Sequence, residues 1–310
     1  MTDRHRSIRF GIFIILGSLG LRFWATRPVP LKIPNTAAVA AYTETGLFVR
    51  SLPSLTGFSP GYPAETAAPA LAADLRYREE EVPAVTNTAG LEADLSALLA
   101  APLSWDLREA AVLILSTHAT ESYTKDAEDY EESAGWRTLD GRYNMLSIGD
   151  RIEELLAAAG ITVIRDRELH DFPSYNGSYA HARTSLSALL EEHPETKLVL
   201  DLHRDAADGP DGKQYRPLAG DRAKLMVVLG SGFDHWQENL GLALKLCAQL
   251  ERQHPGITRP IQLRRATFNQ DLSPGALLIE VGAAGNTRPE ALRAAEELAN
   301  AIIALARGTV

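Results

Sequence analysis

The C-terminal part of the chain alternates short apolar runs with longer amphipathic segments. The short runs are typical of buried strands: "EAAVLILST", "ITVIRDR", "KLVLDLH", "AKLMVVLG", "PIQLRRA" and "GALLIEVG". Between them, apolar residues recur three and four positions apart, which predicts helices: "NMLSIGDRIEELLAAAG", "SYAHARTSLSALLEEHP", "WQENLGLALKLCAQLERQHPG" and a closing segment from about residue 288 to 307. This order predicts an α/β fold with a mostly parallel central sheet flanked by helices.

The first 27 residues have the pattern of a membrane-targeting segment. The basic stretch "MTDRHRSIRF" precedes the apolar run "GIFIILGSLGL", as in a signal sequence. The run is short for a full span, but "RFWATRP" extends it at the membrane interface. No small-x-small cleavage site directly follows the apolar run. We therefore expect residues 1–27 to be an uncleaved anchor in the cell membrane, with the rest of the chain outside the cytoplasm.

Residues 28–90 have scattered prolines, the acidic patch "REEEVP" and no sustained helical or strand period. Such a composition predicts a largely extended linker. The regular pattern begins after it. We therefore place an α/β domain over residues 91–310.

Charge and cysteine content narrow the chemistry. The net charge of -9 argues against general nucleic-acid binding, which needs a basic face. The single cysteine, Cys247, lies in a helical pattern, and we expect a buried thiol there. Without a CxxC pair, a metal site would use histidine and carboxylate ligands.

Three predicted strands deliver such ligands near their ends. "LILSTHATESYT" carries His118 and Glu121, "KLVLDLH" ends at His203, and "GALLIEVG" carries Glu280. Because the carboxyl ends of parallel strands meet at one edge of a sheet, we expect the four residues to lie together. A catalytic zinc keeps three protein ligands and an open position.

The spacing divides the four residues between two roles. We assign His118, Glu121 and His203 as zinc ligands, and Glu280 as the base that takes a proton from water. The simpler alternative for each residue alone is a polar group that ends a strand.

Two residues beside His203 have two interpretations each. Arg204 would stabilise the anionic intermediate, or form a salt bridge with Asp205 or Asp201. Asp205 would orient a ligand histidine from behind, or cap the turn after the strand.

The loop "HDFPSYNGSY" has the look of a substrate-facing segment, with Tyr175 and Asn176 able to bind sugar or peptide groups. Alternatively, Ser174 or Asn176 caps the helix that follows. We take His170 to be a surface histidine.

The segment "FNQDLSPGALL" comes just before the strand that bears Glu280. Asn269, Gln270 and Ser273 would line the floor of a substrate cleft there. Alternatively, they only shape the turn that the Pro-Gly pair requires.

Several longer segments together resemble the stage II sporulation protein P family: "STHATESY", "HDFPSYNGSYAHAR", "LVLDLHRDA", "WQENLGLALKL" and "FNQDLSPGALLIEVG". The resemblance runs from about residue 110 to 306. It implies a zinc-dependent peptidoglycan hydrolase, related in fold to the N-acetylmuramoyl-L-alanine amidases. Such an enzyme cuts the amide bond between muramic acid and the stem peptide, and also cuts stem-peptide cross-links. The resemblance further implies a place at the septal and engulfing membranes of a sporulating bacterium, alongside stage II sporulation proteins D and M.

On the family's motifs, His118 and His203 fall on the metal-binding histidines and Glu280 on the catalytic glutamate. Glu121 instead rests on the HxxE turn, as in zinc carboxypeptidases. The related amidases carry a glutamate ligand at the start of the next helix, and this sequence offers none there. Glu131 or Glu132 is the alternative third zinc ligand if Glu121 does not bind the metal.

Two other functions stay open at this point. A zinc carboxypeptidase acting on wall peptides would use the same HxxE turn with a later histidine and glutamate. A wall-binding scaffold would keep the fold without catalysis.

Overall fold

The structure, a computed structural model, describes residues 77–103, 111–126, 135–209 and 213–308. The strands are Val85–Asn87 (β1), Ala111–Leu115 (β2), Thr162–Arg165 (β3), Thr196–Asp205 (β4), Leu218–Ala219 (β5), Arg222–Ala223 (β6), Leu225–Gly230 (β7), Ile261–Arg264 (β8) and Ala276–Ala283 (β9). The helices are Leu95–Ala100 (α1), Met145–Ala158 (α2), Ser178–Glu192 (α3), Trp236–Gln253 (α4) and Arg288–Arg307 (α5). Short 3₁₀ helices cover Glu79–Glu81 and Gln270–Leu272.

The main sheet has seven strands in the order β1-β8-β7-β9-β4-β2-β3. Neighbouring strands are parallel except β7 and β9, which are antiparallel. The sheet therefore consists of two parallel blocks joined along β7 and β9. The prediction of a mostly parallel sheet flanked by helices is confirmed.

The two faces of the sheet are covered differently. On one face, alternate residues of the central strands pack with α2, α4 and α5 in the main core; from β4 and β9 these are Leu198, Leu200, Leu202, Leu277, Ile279 and Val281. On the other face, a smaller cluster packs with α3; its buried members are Leu113, Leu115, Ala182, Leu186, Val199 and Ala276. Cys247 is buried in the main core. Because successive strand residues point to opposite faces, the positions between the core residues face the α3 side.

The sheet also includes β1, which lies within the segment that the sequence assigns to the linker. β1 pairs with β8, and Ala89 just after it is fully buried. Further upstream, Arg252 of α4 donates to Glu81 at 2.7 Å. Residues 28–76 and the predicted anchor over residues 1–27 lie outside the described residues. Within the described ranges, no helix has the length and apolar character to cross a membrane.

The segment before β9 completes the backbone hydrogen bonding at the end of β7. The Gln270 side chain is buried; its Oε1 accepts from Gly230 N at 2.8 Å, and its Nε2 donates to Val228 O at 2.8 Å. Because β9 is antiparallel to β7, the start of β9 meets the last residues of β7. The prediction that Gln270 binds substrate is therefore wrong, since its amide is used by the backbone.

Asn269 and Ser273 have similar roles. Asn269 is buried with φ at 57°, and its Nδ2 donates to Tyr179 O at 2.8 Å. Ser273 Oγ accepts from Gly275 N at 3.3 Å. The structure thus favours the turn-shaping alternative for both residues and contradicts their assignment to the cleft floor.

Replacing Gln270 by alanine should destabilise the domain. Gln270→Ala leaves the buried Gly230 N–H and Val228 C=O without partners, and we expect the free energy of unfolding to fall by about 1–3 kcal/mol. Urea unfolding followed by circular dichroism measures the change. Gln262→Ala is the matched control, because Gln262 Nε2 bonds only the exposed Pro260 O; its effect should stay within about 0.5 kcal/mol. Equal, small effects of the two variants would contradict this role of Gln270.

Candidate active site

His203 and Glu280 are partners across the central pair of strands. In the register of β4 with β9, His203 lies opposite Glu280. Both positions alternate with main-core residues, so both side chains are on the α3 face of the sheet. His203 is buried, whereas Glu280 is partly exposed. Sequence reasoning predicted that these two residues would meet near the strand ends, and the structure brings them together.

The turn after β2 brings His118 and Glu121 to the same place. Glu121 N donates to His118 O at 3.1 Å, which closes the turn. The His118 and His203 ring centroids are 5.2 Å apart, with the rings at 87°. Glu121 Oε2 lies 4.0 Å from His203 Nδ1. The three predicted ligands therefore form one buried cluster, and the base candidate, Glu280, lies beside it on the neighbouring strand.

Unpaired polar atoms mark this cluster. His118 Nδ1 and Glu280 Oε2 are buried and have no hydrogen-bond partner among the described residues. His203 Nε2 lies 3.0 Å from Asp201 Oδ1, but at an angle outside hydrogen-bond geometry. Buried polar atoms are rarely left unpaired without a functional reason.

The donor types fit zinc, which takes imidazole nitrogen and carboxylate oxygen ligands. Among the described side chains, no group of three or more His, Cys, Asp or Glu is already placed to hold a metal ion. Two ligands on a tetrahedral zinc lie about 3.4 Å apart, given bonds of about 2.1 Å. The 4.0 Å between Glu121 Oε2 and His203 Nδ1 is close to that spacing, so this pair needs only a small approach.

Two arginines orient the Glu121 carboxylate. Its Oε2 accepts from Arg204 N at 3.2 Å. Its Oε1 lies 3.4 Å from Arg137 Nη2 and 3.8 Å from Arg204 Nη1. Because both guanidinium contacts are on Oε1, Oε2 remains on the side of His203.

The rest of the Arg204 side chain holds the loops around the site. Its Nε donates to Ser122 O at 3.0 Å, and its Nη2 donates to Gly135 O at 2.8 Å and Trp136 O at 3.1 Å. Arg204 is buried. Its donors are therefore directed at backbone carbonyls, not at the cleft, and its acidic contact is Glu121 instead of the predicted Asp205 or Asp201.

Asp201, and not Asp205, lies against His203. Asp205 Oδ2 accepts from Arg259 Nη1 at 2.7 Å. Asp201 is fixed by Thr117, whose N and Oγ1 donate to it at 2.8 and 2.7 Å. The structure does not form the predicted orienting contact of Asp205, because the Asp205 carboxylate pairs with Arg259 instead. The alternation of strand residues, which puts 201 and 203 on one face, was the available signal.

The pKa values of His118, His203 and Glu280 are shifted in different directions by their surroundings. Burial lowers the pKa of His118 to about 3. Burial also disfavours a charged His203, but the nearby carboxylates, Asp201 foremost, raise its pKa to about 9. Burial raises the pKa of Glu280 to about 8. Such opposed shifts in one cluster are typical of active sites.

The loop before α3 covers one side of the cluster. Tyr175 is 53% exposed, and its ring stacks on that of His118 with centroids 4.5 Å apart. The Arg137 guanidinium carbon is 4.5 Å from the same Tyr175 centroid. Asn176 is exposed, and the residue that caps α3 is Gly177, with φ at 91° and no side-chain cap bond. The structure thus places Tyr175 at the site. The alternative, in which Ser174 or Asn176 caps α3, is not formed.

Sequence reasoning missed Arg137, Asp171 and Tyr179. Arg137 Nη1 donates to Asp171 Oδ2 at 2.7 Å, and Asp171 also accepts from Thr120 Oγ1 at 2.6 Å. Tyr179 is the second residue of α3, four positions after Tyr175 of the preceding loop, and its place beside that loop was its only signal in the sequence. Glu131 and Glu132 lie outside the described residues.

The prediction that His170 lies at the surface is wrong. His170 is buried, and its Nε2 lies 2.9 Å from Asp166 Oδ2. The two residues are four apart, and Ser185 Oγ of α3 also donates to Asp166, at 2.7 Å. Sequence could not indicate this burial, because it depends on α3 packing over the loop.

Comparison with known proteins identifies a family and a similar protein for this chain. Residues 66–303 match the family model described as stage II sporulation protein P (SpoIIP). Stage II sporulation protein P of Bacillus subtilis (strain 168) is 27% identical over 206 residues, which cover 61% of this chain and 49% of that protein. The chain thus spans about half the length of the curated relative it matches.

Solved structures of amidases also match. N-acetylmuramoyl-L-alanine amidase AmiC2 of Nostoc punctiforme is 16% identical, with 65% of this chain and 95% of that chain covered and a TM-score of 0.39. N-acetylmuramoyl-L-alanine amidase from Clostridium difficile 630 is 14% identical, with 64% of this chain and 96% of that chain covered and a TM-score of 0.38. Such low scores do not by themselves assign a function. The family match covers most of the sequence, and the chain belongs to the stage II sporulation protein P family.

Proposed function

We propose that the protein is a zinc-dependent peptidoglycan hydrolase that cleaves the muramoyl–L-alanine amide bond, and also stem-peptide cross-links, during sporulation. One observation carries this proposal: His118, Glu121, His203 and Glu280 converge on the α3 face of the sheet with buried, unpaired ring and carboxylate atoms. Membership of the stage II sporulation protein P family supports the substrate.

The metal would be held by His118, Glu121 and His203. When bound, zinc would polarise the scissile carbonyl and lower the pKa of water towards about 7. The Asp201 carboxylate would fix the orientation of the His203 ring from behind. Arg204 and Arg137 would keep the Glu121 carboxylate aimed at His203.

Glu280 would carry the proton. It accepts a proton from water as the water oxygen bonds to the carbonyl carbon, and it returns that proton to the amide nitrogen as the C–N bond breaks. The products are a carboxylic acid and an amine. A buried carboxyl with a raised pKa suits a group that must both take and return a proton.

The N-terminal segment would place this chemistry where peptidoglycan lies. Residues 1–27 would anchor the protein in the cell membrane, with the basic end inside, and the linker that follows would act as a tether before the first strand of the sheet. Stage II sporulation proteins D and M are the proposed partners at the septal and engulfing membranes.

One observation favours a second candidate function, a zinc carboxypeptidase acting on wall peptides. That class needs an arginine to bind the terminal carboxylate of its substrate. Arg137 lies partly exposed beside Glu121 and Tyr175, where it is placed for such a contact. The products separate the two functions, because an amidase releases intact stem peptides and a carboxypeptidase releases single amino acids.

Metal content and turnover test the proposed roles together. We expect one zinc per purified chain, a loss of zinc in His203→Ala and Glu121→Ala, and retained zinc in Glu280→Gln. Glu280→Gln should lose about 100-fold to 10,000-fold in hydrolysis, the usual contribution of a general base. Elemental analysis measures the zinc, and mass spectrometry of digested peptidoglycan measures the release of stem peptides. Full zinc in Glu121→Ala would place the third ligand elsewhere, and near-normal hydrolysis by Glu280→Gln would remove its role as the base.

The pair Asp201 and Asp205 tests which carboxylate supports His203. Asp201→Asn should weaken zinc binding about 10-fold to 100-fold, as the loss of a carboxylate that supports a ligand histidine does. Asp205→Asn is the matched control and should leave the affinity unchanged, because Asp205 pairs with Arg259. Competition with a zinc chelator gives both affinities. The reverse order of effects would restore the role that the sequence predicted for Asp205.

A further inference from the structure

Hydrolysis of an amide is faster when a hydrogen-bond donor, in addition to any metal, stabilises the oxygen that becomes negative. Sequence reasoning assigned that task to Arg204, but its Nε and Nη2 donate to the carbonyls of Ser122, Gly135 and Trp136. Another donor at the cluster would therefore have to stabilise the negative oxygen. Tyr179, which sequence reasoning did not single out, is in position for it.

The ring of Tyr179 lies against both candidate zinc-binding histidines. It meets the His118 ring edge-on, with centroids 5.5 Å apart at 89°, and it lies nearly parallel to the His203 ring, at 6.4 Å and 17°. Tyr179 is partly buried. Its ring is thus beside the two histidines, on the face of the sheet that carries Glu280.

The surroundings hold Tyr179 in this place. Its main-chain oxygen accepts from Asn269 Nδ2 at 2.8 Å. Its ring centroid is 6.0 Å from that of Phe268. Phe268 and Asn269 have φ values of 50° and 57°, a region that residues other than glycine seldom adopt. Backbone strain of this kind clusters at functional sites, where it fixes a side chain in advance.

The side chain of Tyr179 is a hydrogen-bond donor. A phenol has an ordinary pKa of about 10 and is therefore protonated at neutral pH. Its hydroxyl can thus donate without carrying a charge.

We propose that the Tyr179 hydroxyl donates a hydrogen bond to the carbonyl oxygen of the scissile amide as water adds to the carbonyl carbon. The electron pair of the C=O bond moves onto that oxygen, and returns to re-form C=O when the C–N bond breaks. Tyr179 keeps its proton throughout, while the proton from water passes by Glu280 to the amine. This role rests on the proposed amide hydrolysis.

Tyr179→Phe tests the proposal, because it removes the hydroxyl and keeps the ring. We expect kcat on peptidoglycan to fall about 100-fold, the usual cost of losing one donor to the anionic oxygen, with KM and zinc content unchanged. Tyr143→Phe is the matched control, since the Tyr143 ring packs under Arg142 and Arg288 and is not part of the cluster; its kcat should equal that of the wild type. If the Tyr179 ring only packs, Tyr179→Phe will match the wild type, and the proposal is overturned.

A binding measurement separates this proposal from the proposed function. A phosphinate analogue of the muramoyl–L-alanine amide carries the negative oxygen in a stable tetrahedral group, and such analogues bind through contacts made in the transition state. Tyr179→Phe should weaken its binding by about the same factor as kcat. A raised KM with unchanged kcat and analogue affinity would overturn the role of Tyr179 alone. A zinc-loaded wild-type chain that neither hydrolyses peptidoglycan nor binds the analogue would overturn the proposed function and this inference with it.

Discussion

The parallel pairing of β4 with β9 is the constraint on which the candidate site depends. It sets His203 opposite Glu280, while Leu202 and Ile279, the neighbours of these two residues, lie on the other face in the main core. A shift of one strand by one residue would move its apolar side chains out of the core and would move His203 or Glu280 into it. The free energy of burying those apolar side chains therefore fixes the relative position of the two chemical groups.

The turn after β2 depends on a second set of constraints, a network of buried polar contacts. Asp201 binds Thr117 at the start of the turn, and Arg204 binds Ser122 near its end. Arg204 N also donates to Glu121. Since all these partners belong to β4 or to the turn, the strand that carries His203 also positions Glu121. Buried networks of this kind are rigid when every member is paired, which keeps a site preorganised.

Sequence patterns predicted the elements that form the cluster well, because the relevant signals are local. The apolar runs, the helix periods and the polar residues at strand ends all lie within a few positions of one another. The same reasoning placed His118, Glu121, His203 and Glu280 at one edge, which is how the structure has them. Their chemical roles stay proposals.

What the sequence could not predict depends on pairing between distant strands. Gln270 was misassigned because nothing local indicates that β7 runs antiparallel to β9. The partner of Asp205 could not be predicted, because Arg259 is 54 positions away in the sequence. The short strand β1 was placed in the linker, since three residues give no clear period. Tyr179 was overlooked because its contacts with the two histidines arise only when α3 packs on the sheet.

We propose that His118, Glu121 and His203 share one zinc ion beside Glu280. Anomalous diffraction at the zinc edge, from crystals of the zinc-loaded protein, is the decisive measurement. We expect a single strong peak with the two imidazoles and the Glu121 carboxylate at about 2.0–2.2 Å, and with Glu280 outside bonding distance. A peak bound by other residues, or a zinc-loaded crystal with no peak at this cluster, would contradict it.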